Sequence, residues 1–240
     1  PYIVLGNGTN VLFSDEGYEG VVIATGAMQS ILRDGNTLLC DAGVSLTAAS
    51  KAALGYALTG LEFAHGIPGT LGGGVYMNAG AYGGELKDVL TEVTALFPDG
   101  VRTLRGEELA LGYRRSFFTD HPEAVVLRAK LALHGGDQEA IKARMEELSA
   151  KRRASQPLEM PSAGSTFKRP EGYFAGTLIE QCGLKGKHVG GAEVSRKHAG
   201  FVVNAGGATC ADVLALIKKV QDAVFTATGV TLEPEVKIIR

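Results

Sequence analysis

Over the first part of the chain the apolar positions come in short runs: Tyr2–Leu5, Gly20–Ala24, Thr37–Asp41, Val89–Phe97, Val101–Leu104 and Ala124–Leu133. Runs of this length, bounded by turn-forming residues, predict strands, and Asp34-Gly35 and Pro98-Asp99-Gly100 predict hairpin turns between them. One helix interrupts the series, with Ser45 as its N-cap and Gly55 at C′. From Asp137 to Ser155 the spacing turns helical amid many charges, which predicts a surface helix or one bridging two units. Beyond it the pattern reads as a Gly/Pro/Ser loop, a helix from Tyr173 to Cys182 stopped by Gly183, and β-runs at Ala192–Val194 and Gly200–Asn204. A core helix then runs from Thr209 to Thr228, apolar at positions that include Leu216, Ile217, Val220, Val224 and Phe225, and a last strand from Val230 to Ile239. The class is α+β, a β-rich part followed by a smaller mixed one, with ligands expected in a cleft between them.

Composition narrows the functions available. The formal charge of −2 creates no global field for a nucleic-acid backbone or an anionic membrane, so an anionic ligand must be met locally. No apolar run reaches the roughly 18 residues of a membrane span, and the opening residues "PYIVLGNGTN" lack the charged start and cleavage site expected of a signal peptide. Three widely spaced cysteines suggest neither a disulfide framework nor a zinc ribbon, which fits a reducing cytoplasm, and the five histidines lack metal-ligand spacing. The departure from average is glycine, 33 residues, about twice the usual share.

Those glycines concentrate in "GLEFAHGIPGTLGGGVYMNAGAYGGELKDVL", Gly60 to Leu90. Glycine-rich backbone can turn successive N–H groups onto a phosphate, and it equally serves tight turns in a crowded sheet. The dinucleotide fingerprint fails in "GNGTNV", where Val11 stands in place of the third glycine, and no glycine loop ends in the Lys-Ser/Thr of a triphosphate site.

The segments "LGNGTNVLFSD", "GLEFAHGIPGTLGGGVYMNAGAYGGE", "GYRRSFF", "QPLEMPSAGSTFKRP", "AGTLIEQCGLKG", "GGAEVSRKHAGFVVN" and "LEPEVKIIR", in this order, resemble the UDP-N-acetylenolpyruvoylglucosamine reductase family over nearly the whole chain. The resemblance, to the compact type II form, implies an FAD-binding domain of the vanillyl-alcohol-oxidase type over residues 1–135, a connecting helix over 136–155 and a substrate-binding domain over 156–240 whose last strand returns to the active site. It also implies a further segment ahead of Pro1. It assigns to FAD the residues Gly6, Asn7, Gly8, Thr9 and Asn10, together with Gly66, Ile67, Pro68, Gly69, Thr70, Gly72, Gly73 and Gly74.

The activity it implies is NADPH-dependent, FAD-mediated reduction of UDP-N-acetylenolpyruvoylglucosamine to UDP-N-acetylmuramate for peptidoglycan synthesis, by a cytoplasmic monomer that needs neither nucleic acid nor membrane. Hydride reaches the methylene carbon of the enolpyruvyl ether, and the charge that develops beside it needs a proton and a stabilising cradle. Ser165 matches the proton donor, with Lys168 or a water relay assisting. Arg114 matches the group that holds the substrate carboxylate, and a planar fork suits that task. Glu235 matches the third member, as a neutral acid hydrogen-bonding the substrate, its pKa raised by burial. Spacing alone does not separate Arg114 from Arg115 or Glu235 from Glu233, and a hydroxyl such as Ser165 can simply satisfy its own loop. Lys168 and Arg169 complete the substrate set, although Arg169 stands where the family commonly has asparagine and Asn7 where it commonly has glycine.

Overall fold

The computed structural model describes residues 1–240 and divides into two compact units, Pro1–Asn7 with Val21–Arg152, and Gly8–Gly20 with Arg153–Arg240.

The first unit is built on a five-stranded antiparallel sheet in the order Gly100–Arg105, Leu90–Phe97, Val125–Ala132, Thr37–Asp41, Ile31–Asp34. Burial alternates along Thr37–Asp41, so that Leu38 and Cys40 enter the core while their neighbours do not. Both expected hairpins form, with Asp34 opposite Thr37 and Phe97 opposite Gly100. Against the sheet lie α1 (Leu46–Gly55), α2 (Leu71–Met77) and α3 (Phe117–Asp120), followed by α4 (Gln138–Ser155). Leu46, Leu71, Val75, Leu86, Val93 and Leu131 join one buried cluster with the strand residues. Burial pushes the Cys40 thiol up to about 12, which leaves it an inert packing group.

Two local expectations change here. Ser45 caps α1 through its side chain as expected, but Gly55 is still helical and the left-handed turn falls on Ala57, at φ 54°. The helix winds on because Tyr56 donates back to the α1 carbonyls, and the chain then turns sharply to bury Leu58. The second change is α2: its glycines sit in a helix capped by Thr70. A Cβ on Gly72 would lie 2.9 Å from the Ala42 Cβ and 3.2 Å from its carbonyl oxygen, whereas one on Gly55 meets open space. Gly72→Ala is therefore expected to cost about 1–3 kcal/mol in urea denaturation, and Gly55→Ala to gain about 0.4–1 kcal/mol; equal effects would remove the close-packing argument.

The second unit holds a three-stranded antiparallel sheet, His188–Val189, Ala192–Val194 and Val202–Asn204, with α5 (Ala175–Gln181) and α6 (Cys210–Thr228). Thr209 and Asp212 form a capping box at the start of α6, and Gly229 at φ 72° ends it. Leu216, Ile217, Val220 and Val224 face the core, while Phe225, expected among them, is 55% exposed.

Residues Gly8–Gly20 belong to this unit rather than to a domain ending at residue 135. Val11–Phe13 pairs in parallel with Lys237–Ile239, and the Asp15 carboxylate accepts the Cys210 and Ala211 amides at the start of α6. The last strand is shorter than the apolar run predicts, only Lys237–Ile239, because Pro234 has no N–H for a ladder and makes a single bridge to Phe167. Within α4, Ile141, Met145, Leu148 and Arg152 are buried, and the division between the two units falls inside this helix, after Arg152.

Candidate active site

In the first unit, the glycine run separates into two kinds of backbone. Leu71 and Gly72 donate to the Val44 and Ala42 carbonyls at 2.7 and 2.8 Å, and Gly73 and Gly74 donate to the Thr70 hydroxyl and carbonyl at 3.4 and 2.8 Å. Gly66 donates to the Thr47 hydroxyl at 3.1 Å and Ile67 to the Ala64 carbonyl at 3.1 Å. The N–H groups of Gly72, Gly73 and Gly74 are thus engaged within the protein, and packing calls for glycine at Gly72, beside Ala42, and at Gly74, beside Leu86. Gly69, Thr70 and Asn7 keep N–H groups that no hydrogen bond of the protein uses. The two stretches lie directly together: a Cβ on Gly6 would fall 2.1 Å from the Thr70 hydroxyl, and Asn7 Nδ2 donates to the Pro68 carbonyl at 2.8 Å.

Arg114 also belongs to the first unit. It occupies the left-handed region at φ 53°, in a turn closed by mutual hydrogen bonds between Gly112 and Arg115. A non-glycine residue held there stores about 1–3 kcal/mol of strain, a feature that concentrates at functional sites. Its Nη2 donates to the Gly80 carbonyl at 3.1 Å, and its guanidinium lies 5.1 Å from the Tyr113 ring. Arg115 is instead paired with Asp120 through Nε and Nη2, at 3.1 and 2.5 Å.

In the second unit Gly8 is at φ 65°, and the N–H groups of Gly8, Thr9 and Asn10 are likewise not engaged by the protein. Asn10 Nδ2 donates to the Glu235 carbonyl at 3.2 Å, and the Asn10 carbonyl accepts from Lys237 at 2.9 Å. A Cβ on Gly164 would lie 3.9 Å from the Thr9 carbonyl oxygen. This unit therefore brings Gly8, Thr9 and Asn10 together with the Ser165 loop and Glu235.

Thr166 anchors that group. Buried, it donates its N–H to the Gly200 carbonyl at 2.8 Å, accepts Glu235 N–H on its own carbonyl at 2.8 Å and accepts Val202 N–H on Oγ1 at 2.9 Å. Ser165 makes only a 3.3 Å bond from Oγ to the Phe167 carbonyl. Glu233 is exposed and ion-paired with Lys168, while Glu235 is half-buried. Lys168 thus has its ammonium on Glu233, and Arg169 stacks 3.9 Å from the Phe174 ring.

Two side chains escaped the sequence reading. Arg152 is buried beside Gly66, with its guanidinium 5.4 Å from the Tyr82 ring, and it helps burial and Lys51 lower the His65 pKa. Its position four residues after Leu148, on the buried stripe of α4, was the available signal. His198 is the other. Its Nδ1 accepts the Gly200 N–H at 3.1 Å, which requires that nitrogen to be unprotonated, and burial, helped by Lys185, lowers its pKa from 6.5. The unfolded chain then binds a proton that the folded imidazole refuses, so stability falls as pH drops below about 6.5 toward the folded value. Denaturant titrations at about pH 7.5 and about pH 5.5 are expected to show a smaller loss for His198→Asn than for wild type, with His65 contributing the remainder; an unchanged loss would contradict this account.

Residues 156–239 match the family profile described as UDP-N-acetylenolpyruvoylglucosamine reductase, C-terminal domain, and residues 1–104 match an FAD binding domain. The chain is 49% identical over 240 residues to UDP-N-acetylenolpyruvoylglucosamine reductase of Caldanaerobacter subterraneus subsp. tengcongensis, covering 100% of this chain and 79% of that protein. Against the reductase of Syntrophomonas wolfei subsp. wolfei the identity is 52% over 241 residues, covering 100% of this chain and 80% of the relative. The crystal structure of UDP-N-acetylenolpyruvylglucosamine reductase from Thermus caldophilus superposes with a TM-score of 0.88 at 38% identity, over 100% of this chain and 86% of that one.

Proposed function

We propose a division of labour among named residues from one premise: the chain belongs to the family of UDP-N-acetylenolpyruvoylglucosamine reductases. It is an FAD-dependent oxidoreductase that uses NADPH to reduce UDP-N-acetylenolpyruvoylglucosamine to UDP-N-acetylmuramate, a peptidoglycan precursor. When bound, FAD supplies hydride transfer from NADPH to the methylene carbon of the enolpyruvyl ether.

The N–H groups of Asn7, Gly69 and Thr70, and those of Gly8, Thr9 and Asn10, hold the FAD diphosphate. They fit because they are main-chain donors not engaged by the fold, and Gly8 takes the positive φ that aligns successive amides. The Arg114 fork binds the substrate carboxylate and stabilises the charge that develops on the adjacent carbon. Ser165 Oγ–H gives its proton to that carbon, so hydride and proton together saturate the double bond, and solvent restores the hydroxyl proton. Glu235 hydrogen-bonds the substrate as a neutral acid, and Lys168 and Arg169 serve the rest of the substrate.

The observation that carries this reading is the anchoring of the Ser165 loop and the Glu235 backbone to a single buried residue, Thr166, with a weakly engaged hydroxyl on one segment and a half-buried carboxyl on the other. Residues 1–135 as the cofactor domain and 156–240 as the substrate domain, bounded by the helix at 136–155, remain the working division, with Gly8–Gly20 added to the second. The enzyme acts as a monomer in the cytoplasm; its three free cysteines suit a reducing compartment, and no helix is long and apolar enough to cross a membrane.

Stopped-flow absorbance without oxygen tests the assignment on full-length protein with FAD. One equivalent of NADPH bleaches the flavin, and UDP-N-acetylenolpyruvoylglucosamine then restores its colour while UDP-N-acetylmuramate appears. A flavin that stays reduced until oxygen enters would overturn it.

A further inference from the structure

Asn78 lies at the C-cap of α2, fully buried and at φ 43°, ψ 60°. Asparagine tolerates this left-handed region better than most residues. Its carboxamide joins three segments: Nδ2 donates to Glu85 Oε2 and to the Gly112 carbonyl, each at 2.9 Å, and Oδ1 accepts the Lys87 N–H at 2.9 Å.

Gly112 opens the turn that carries Arg114, and Gly80, two residues beyond Asn78, receives the Arg114 guanidinium. On the far side of the turn, Ser116 Oγ and Thr119 Oγ1 both donate to the Tyr76 carbonyl, two residues before Asn78, at 2.9 and 3.0 Å. The backbone of the strained turn and the head group of its arginine are thus held against one short stretch, residues 76–80. Asn78 is the side chain that ties this stretch to the near side of the turn.

We propose that Asn78 is a positioning residue for Arg114, setting the turn so that the guanidinium fork meets the substrate carboxylate. This rests on the role given to Arg114 above. Asn78 itself touches neither substrate nor cofactor in this scheme. A geometric error of about 1 Å at a reacting group can cost on the order of 100-fold, so loss of the tie falls on the step that uses Arg114.

The test uses full-length protein with FAD and both half-reactions in stopped flow. Asn78→Gly keeps the left-handed backbone and deletes the carboxamide. It is expected to leave flavin reduction by NADPH within about twofold of wild type and to slow reoxidation by UDP-N-acetylenolpyruvoylglucosamine by about 10- to 100-fold. In an Arg114→Ala background the same change is expected to add less than about twofold, since two residues acting through one interaction are not additive. Slowing of both half-reactions alike, or the same factor in both backgrounds, would make Asn78 structural only and overturn the proposal. Normal reoxidation by Arg114→Ala alone would instead overturn the reading of Arg114, and the proposal with it. If Asn78→Gly does not retain FAD, Asn78→Asp preserves shape and turn tolerance while setting an acceptor against the Gly112 carbonyl; the same split supports the proposal and wild-type behaviour sinks it.

Discussion

Ser165→Ala is expected to reduce its flavin with NADPH at the wild-type rate and then to reoxidise with UDP-N-acetylenolpyruvoylglucosamine about 10²- to 10⁴-fold more slowly, the usual contribution of a positioned proton donor. Only the second half-reaction places a proton on carbon, so the effect must divide between the halves. The structure makes this substitution mild for the fold. The hydroxyl has one long bond, 3.3 Å to the Phe167 carbonyl, and the anchoring bonds belong to its neighbour Thr166. Stability should therefore change by no more than about 0.5 kcal/mol, as for a substitution away from critical contacts. A serine is a weak acid, so the donor works only against a strongly basic carbon, which makes solvent isotope sensitivity of the second step a further expectation. Equal slowing of both half-reactions, or a collapse in stability, would remove the proton-donor role.

Arg114→Gly is expected to separate activity from stability. At φ 53° the arginine stores about 1–3 kcal/mol of strain that glycine does not feel. Against that stand the contacts the side chain makes, among them the hydrogen bond to the Gly80 carbonyl, about 1 kcal/mol, and the Tyr113 ring. Urea denaturation should show a stability change of no more than about 3 kcal/mol, the usual range for a single substitution, while substrate-driven reoxidation falls by about 10²- to 10³-fold, the scale for losing a preorganised donor at a developing anion. Arg114→Lys keeps the charge and lacks the fork, so it should recover only part of the rate. Arg115→Ala, which breaks an exposed pair with Asp120, should cost little in either measurement. A normal second half-reaction in Arg114→Gly would show that the strained turn serves something other than the carboxylate.

Much of the architecture could be read from the chain because its signals are local. Ser45 and Thr209 can cap a helix, Gly229 can end one and Asp34-Gly35 can reverse a strand through chemistry contained in a few neighbouring residues, and each does so here. The family blocks also lie in the sequence itself, and with them came the assignment to flavin-dependent reduction of the enolpyruvyl sugar nucleotide. Local signals misled where an opposing local feature masked them. Three glycines hid the helix that Thr70 caps and Leu71 and Val75 anchor, and an apolar run concealed the break at Pro234.

Many of the contacts at the site are not local. Glu233 meets Lys168, which lies 65 residues away in the chain. Asn78 reaches Gly112 across 34 residues, and Asn10 reaches Glu235 across 225. Likewise, which backbone amides stay available for an anion depends on Val44 and Ala42 taking those of Leu71 and Gly72. The sequence by itself determined the elements and the family; the tertiary structure alone decided which partner each side chain and each backbone amide meets, because a hydrogen bond is settled by the partner that folding delivers to it.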